Sequence, residues 1–339
     1  MLEQPYIKFM QTLKNLREMH KKILCSVKIT EGVNQQVTTS YVGTSETACE
    51  ITFQFNEYSK LRPQHHIKTN QEFLEWFIGF TEGDGSFVIS KDKVYFDITQ
   101  NLQDIQVLYY IKKELGFGKV LIRNEPHRNV GVFYVTKEEN FYRLITIFNG
   151  NICSNYKKEQ FKKWLHQFNT QYNKNIEFKD RSVKPSLNTA WLSGFIDAEG
   201  SFTGRVKFCK TSKLGKAPHL TFSLSQKEYS ILSNIRELFL STTTKNIRYD
   251  KSWEGWQLHI SSFIKLKSVM NYLHRFDLKT KKKIAFLRWC KIHDRISRKE
   301  HLTLEGLEKI TEFSCKINYS LEEMNPARST YVAAARGKS

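Results

Sequence analysis

No CxxC pair occurs in the 339 residues, and the six cysteines (Cys25, Cys49, Cys153, Cys209, Cys290 and Cys315) are scattered. A disulfide framework or a zinc knot is therefore not expected, and a reducing compartment is the default. His65 and His66 are adjacent rather than a helical turn apart, so they read as loop residues. No apolar stretch reaches membrane-spanning length, and no membrane partner is expected. The first 25 residues have the pattern of a basic amphipathic helix, but Glu3, Glu18 and the lack of an apolar h-region argue against a secretory signal. A cleaved organelle presequence stays open. Acids are also scarce: 34 Asp and Glu stand against 53 Lys and Arg, a net charge of +19. Such an excess suits a polyanion, most commonly nucleic acid, although charge alone leaves a membrane surface possible. Aromatic residues make up 13% of the chain, so it should fold rather than form a basic tail.

The chain repeats itself with a period of 115 residues. "FIGFTEGDGSF" (77–87) aligns with "LSGFIDAEGSF" (192–202). Each copy continues into a strand pair ending in Gln, an amphipathic helix, a second strand pair and another helix. A Lys-rich helix then follows. The expected fold is α+β, two αββαββα modules. Their boundaries fall at about 71–170 and 187–320, with a polar linker at 171–186 and a tail at 321–339. Residues 1–70 have no counterpart. They hold nine basic and six acidic residues, so +3 of the +19 lies there and +16 in the duplicated body.

Both motif helices end in carboxylates, against the partial negative charge of a helix C-terminus, with no basic residue in the last turn. Gly79 and Gly83, like Gly194 and Ala198, are four apart and form a bare stripe on one helix face. Two such stripes allow the helices to pack closely about a pseudo-twofold axis. Asp84 and Glu199 then emerge together at the end of the contact. Two opposed acids in that position call for a divalent cation, and hard oxygen ligands suit Mg²⁺. A metal held there can activate water and stabilise charge on a phosphate. Gly85 and Gly200 are expected to supply a left-handed turn.

These residues carry a resemblance. Both segments resemble the LAGLIDADG motif of homing endonucleases in its single-chain, two-motif form, over about residues 71–320. The first copy departs from the pattern at Phe77, Ile78, Phe80, Thr81, Glu82 and Gly83. "EHLTLEGLEKI" (300–310) also resembles a C-terminal stretch of single-chain members. The resemblance implies a monomeric, Mg²⁺-dependent, site-specific DNA endonuclease that promotes mobility of its intron, with Asp84 and Glu199 as metal ligands. It also implies residence in an organelle, a mitochondrion rather than a chloroplast. Gln100 and Gln226, on the inward phase at strand ends, match a residue that helps to hold active-site waters in the family. Lys157 and Lys282 match its basic residue near the scissile phosphate, although Lys158 and Lys283 sit beside them. Relatives of this fold also act as RNA maturases, so intron RNA is the rival partner. A DNA-binding regulator without cleavage is a more distant alternative.

Strand alternation nominates the DNA-reading face. In the first copy it comprises Ser86, Val88, Ser90, Tyr95, Asp97 and Thr99. In the second it comprises Ser201, Thr203, Arg205 and Lys207, then His219, Thr221, Ser223 and Ser225. Phe202, Val206 and Phe208 are expected to face the core. Lys210, Lys213 and Lys216 decorate the longer second ribbon, for Gly194 to Gln226 spans 32 residues where Gly79 to Gln100 spans 21. A two-stranded ribbon fits the DNA major groove. Because the two ribbons differ, the double-stranded target is expected to be long and asymmetric, lying across a saddle.

Overall fold

A computed structural model describes residues 52–61, 69–125, 128–240 and 246–318. The expected N-terminal helix, Cys25, Cys49, the His65–His66 pair and the tail at 321–339 lie outside the described residues. Cys153, Cys209, Cys290 and Cys315 are free thiols. Among the described residues no helix is long and apolar enough to cross a membrane.

The Asn70 side chain accepts from Glu72 N at 3.0 Å and so caps the first motif helix, α1 (Gln71–Asp84). Strand β1 (Gly85–Ser90) leaves it directly and turns at Lys91 and Asp92, whose φ angles are 48° and 60°. Two positive φ values match the twist of the returning strand β2 (Lys93–Asn101). A single 3₁₀ turn leads into α2 (Ile105–Leu115), which Gly116 ends in the left-handed conformation. Then come β3 (Lys119–Glu125), β4 (Arg128–Val135), α3 (Glu138–Phe148) and α4 (Asn155–Tyr172). Residues 173–190 contain neither helix nor strand. Gln171 and Tyr172, expected in the linker, complete α4 instead, and Gln171 Oε1 accepts from Val94 N at 2.9 Å.

The second copy repeats the order. It runs α5 (Trp191–Glu199), β5 (Gly200–Phe208), β6 (Lys216–Gln226) and α6 (Tyr229–Phe239). β7 (Ile247–Asp250), β8 (Gly255–Ile260), α7 (Phe263–Arg275) and α8 (Lys282–Ser297) follow. A further helix, α9 (Leu304–Cys315), lies against β5 and contains most of the "EHLTLEGLEKI" stretch. The fold is thus α+β. Its two four-stranded antiparallel sheets are ordered β1-β2-β4-β3 and β5-β6-β8-β7.

The repeated "GSF" has a packing cause. Phe87 points beneath its sheet and its ring meets Phe96, Phe148, Phe161 and Trp164. Phe202 does the same against Phe222, Phe286 and Trp289. Each Phe joins its sheet to the Lys-rich helix behind it.

Two expectations need correction. Gly85 and Gly200 are extended, with φ of −84° and −79°, not left-handed. Space explains them: a Cβ would come within 2.6 Å of Thr81 Cγ2 at Gly85, and within 2.6 Å of the Ile196 carbonyl oxygen at Gly200. The strand therefore leaves straight off the helix end. Phe208 does not face the core but is 74% exposed. The ribbon outruns the core at its tip, so alternation continues after burial has stopped, whereas Val206 still packs against the core. Lys216 registers with Phe208 and so falls on the reverse of the face nominated by strand alternation.

Candidate metal and nucleic-acid site

The motif helices touch along the small-residue stripe. A Cβ at Gly79 would lie 1.9 Å from the Trp191 carbonyl oxygen, and one at Gly194 would lie 1.9 Å from that of Trp76. The backbones therefore meet at two reciprocal points. One turn later a Cβ at Gly83 would sit 2.3 Å from Ala198 Cβ, so this level holds a single methyl group, supplied by the second helix.

The first carboxylate of each motif is buried and structural, a role the sequence reading did not assign. Glu82 accepts from Cys153 N at 2.9 Å and Ser154 N at 2.6 Å, and from Trp191 Nε1 of the opposite helix at 2.8 Å. Asp197 accepts from Lys279 N, Thr280 N and Thr280 Oγ1, and from Trp76 Nε1 across the interface at 2.8 Å. Each acid thus caps the entry to its own Lys-rich helix and grips the tryptophan of the other module. Burial pushes the Glu82 carboxyl up to about 7, while these donors pull it down. Trp76 and Trp191 are themselves 115 apart, which was the available signal. Trp76→Phe and Trp191→Phe should each lower stability by about 1–3 kcal/mol, the cost of taking a hydrogen-bond donor from a buried acceptor, as denaturant unfolding would show.

The second carboxylates, Asp84 and Glu199, are half-buried. Gln100 Nε2 donates to Asp84 Oδ2 at 2.6 Å, and Gln226 Nε2 donates to Glu199 Oε1 at 3.4 Å. Burial and then the charge of Asp84 push Glu199 up to about 7, while Lys282, Lys157 and Gln226 oppose the rise. Burial also raises Asp84. Lys157 Nζ donates to the Gly85 carbonyl at 2.6 Å, and Lys282 Nζ to that of Ala198 at 2.5 Å. Burial lowers both ammonium groups; the attraction of Glu82, Asp84 and Glu199 opposes it at Lys157, and that of Asp84, Asp197 and Glu199 at Lys282. Two acids, two glutamines and two lysines therefore share one electrostatic neighbourhood. The neighbouring lysines turn elsewhere: Lys158 pairs with Asp180 and Lys283 with Asp277.

Two carboxylates oriented this way fit a hard divalent cation, because each remains costly to ionise until a positive charge arrives. Among the described residues no cluster of three or more Asp, Glu, His or Cys could complete such a site alone. The remaining ligands must come from water, phosphate or backbone oxygen. This is the habit of Mg²⁺, which keeps several waters and takes one or two carboxylates.

Strand register places the nominated ribbon residues on one face of each sheet. Ser86 pairs with Asp97 and Val88 with Tyr95, and Ser90 and Thr99 share their phase. In the second sheet Ser201 pairs with Ser223, Thr203 with Thr221 and Arg205 with His219, with Lys207 and Ser225 in phase. Lys210 and Lys213 are exposed on the loop between β5 and β6. The register extends each face to residues the sequence reading left unassigned. Asp97 continues through Tyr134 to Lys119, and Thr99 through Val132 to Leu121. Ser225 continues through Gln257 to Arg248, and Ser223 reaches His259. Asp97 is not an isolated acid, for Arg123 attracts its charge while burial raises its pKa.

Comparisons with known proteins bear on this geometry. The family described as LAGLIDADG endonuclease matches the chain twice, over residues 77–168 and 192–293. "Probable intron-encoded endonuclease 4" of Neurospora crassa is 42% identical over 249 residues, 73% of this chain but only 45% of that protein. An "uncharacterized cox1 intron-2 37.2 kDa protein" of Schizosaccharomyces pombe is 31% identical over 272 residues, 79% of this chain and 80% of the relative. Among solved structures, the LAGLIDADG meganuclease I-AabMI, bound to uncleaved DNA, aligns with a TM-score of 0.61 at 21% identity. The alignment covers 72% of this chain and 99% of that one, and is a likeness of fold. The twofold match spans both sheets and both acid-bearing helices, and the chain belongs to the LAGLIDADG endonuclease family.

Proposed function

We propose that this protein is an intron-encoded, site-specific DNA endonuclease that acts as a monomer and makes a metal-dependent double-strand break in a long asymmetric target. The observation that carries this reading is the convergence of Asp84 and Glu199 at the end of the glycine-lined helix contact, with Lys157 and Lys282 beside them. Asp84 and Glu199 would hold the cation. When bound, Mg²⁺ supplies activation of water and neutralisation of phosphate charge. Gln100 and Gln226 orient the carboxylates through their amide donors; Gln100 keeps its carbonyl oxygen for a neighbouring water, whereas that of Gln226 already accepts from Lys227 N at 2.8 Å. Lys157 and Lys282 hold positive charge where a phosphate gains negative charge, without solvent reorganisation.

The two sheet faces would read the duplex as a saddle. The second face carries Arg205, Lys207, His219 and Arg248, whereas the first sets the apolar Val88 and Leu121 and the acid Asp97 beside its Lys119 and Arg123. Two faces of such different chemistry support an asymmetric site. The cox1-intron relative supports residence in a mitochondrion.

The test is a supercoiled plasmid carrying the intronless junction of the protein's own host gene. Mg²⁺ should give linear product, and EDTA should abolish it. Cleavage that survives EDTA would overturn the metal assignment. Tight binding without cleavage in Mg²⁺ would overturn the nuclease reading, and splicing assistance by the same protein would then favour the RNA maturase.

A further inference from the structure

The N-terminal end of each Lys-rich helix is held by a carboxylate from the opposite module. At α4, Glu228 of the second module accepts from Ser154 Oγ at 2.7 Å, Asn155 N at 3.2 Å and Tyr156 N at 3.1 Å. At α8, Asp104 of the first module accepts from Lys281 N at 2.7 Å, and its other oxygen lies 3.5 Å from Lys281 Nζ. The residues held in this way immediately precede Lys157 and Lys282. Both helices already have caps from their own modules. Ser154 Oγ accepts from Lys157 N, Thr280 Oγ1 accepts from Lys282 N, and Glu82 and Asp197 serve the amides just before. Helix formation alone does not require a second acid from across the interface. Such an acid also adds negative charge beside a site that must receive phosphate. At Glu228, burial pushes the carboxyl up, and the bonds from Ser230, Ser154, Tyr156 and Asn155 together outweigh it, so the group stays ionised.

We propose that Glu228 and Asp104 are positioning residues, each reaching from one module to seat the helix turn that aims the other module's lysine at the Asp84–Glu199 pair. The inference rests on the nuclease reading for its purpose, but the placement of each lysine can be measured without any cleavage. Each lysine's alignment then depends on both halves of the chain.

The experiment is competitive reductive methylation of the intact protein, with modification of each lysine read by mass spectrometry. In Glu228→Gln, Lys157 should become about fivefold more reactive, the effect of about 1 kcal/mol of lost restraint, while Lys282 stays as in the parent protein. In Asp104→Asn the pattern should reverse. Glu228→Asp, which keeps the charge, should restore part of the protection. If both lysines rise together in either variant, the acids only stabilise the interface and the proposal falls. It falls equally if neither lysine moves. Strand-resolved nicking supplies a second readout: Glu228→Gln should bias the cut in the same direction as Lys157→Met, and Asp104→Asn in the same direction as Lys282→Met. An equal loss on both strands overturns the proposal. A parent protein that leaves DNA uncut but shows the expected methylation pattern would defeat the nuclease reading and leave the positioning role standing.

Discussion

Asp84→Asn and Glu199→Gln should each reduce double-strand cleavage by at least about a thousandfold, since an anionic metal ligand is worth several kcal/mol of transition-state stabilisation. Affinity for the target should change little, because the proposed reading faces lie on the sheets and the exchange is nearly isosteric. Stability supplies the discriminating readout. Burial raises both carboxyls, and the charge of Asp84 lifts Glu199 further, so each ionised acid costs the folded state free energy at neutral pH. Neutralising either one removes that cost. The melting temperature of each variant should therefore hold or rise while activity vanishes. Normal cutting by either variant would remove that acid from the chemistry. A fall in melting temperature would show that the pair is structural, like Glu82 and Asp197.

The second large effect is on the fold itself. Gly79→Ala or Gly194→Ala places a methyl group 1.9 Å from a backbone carbonyl oxygen, with the amide of Phe195 or Phe80 also under 3.0 Å away. Backbone on both sides leaves nothing flexible to yield. Overpacking of this kind costs about 3 kcal/mol or more, above the gain in helix propensity that alanine brings. In a protein of this size a loss of that order lowers the melting temperature by roughly 6–12 °C. Thermal unfolding of the two variants checks this, with Ala198→Gly as a control. Removing that methyl relieves contact and should cost no more than about 1 kcal/mol. An unchanged melting point in Gly79→Ala would mean that the helices do not meet at this level.

The parts of this architecture that could be read from the chain were those written as local anomalies. Acids at a helix C-terminus break a rule of electrostatics within a few residues, and the small residues beside them explain how two such ends could meet. Strand alternation likewise placed Arg205 and Lys207 on one face. What stayed hidden depends on partners far apart in the chain. Glu82 and Asp197 look as ionised and available as Asp84 and Glu199 do. Only the folded arrangement, which brings Trp191 to Glu82 and Trp76 to Asp197, removes them from the chemistry. The choice between Lys157 and Lys158 had the same character, because a one-residue rotation on a helix cannot be settled without the wall it faces. Phe208 misled for a different reason. Alternation reports which side a residue is on, not whether anything lies beneath it.

The crossed tryptophan–carboxylate bonds bear on attempts to build hybrid proteins from this scaffold. A foreign second half that lacks an indole where Trp191 stands would strand Glu82 with an unanswered lone pair in a dry interior. Splicing two halves from different sources thus requires transplanting four positions as a set, two per parent, before any redesign of sequence preference begins.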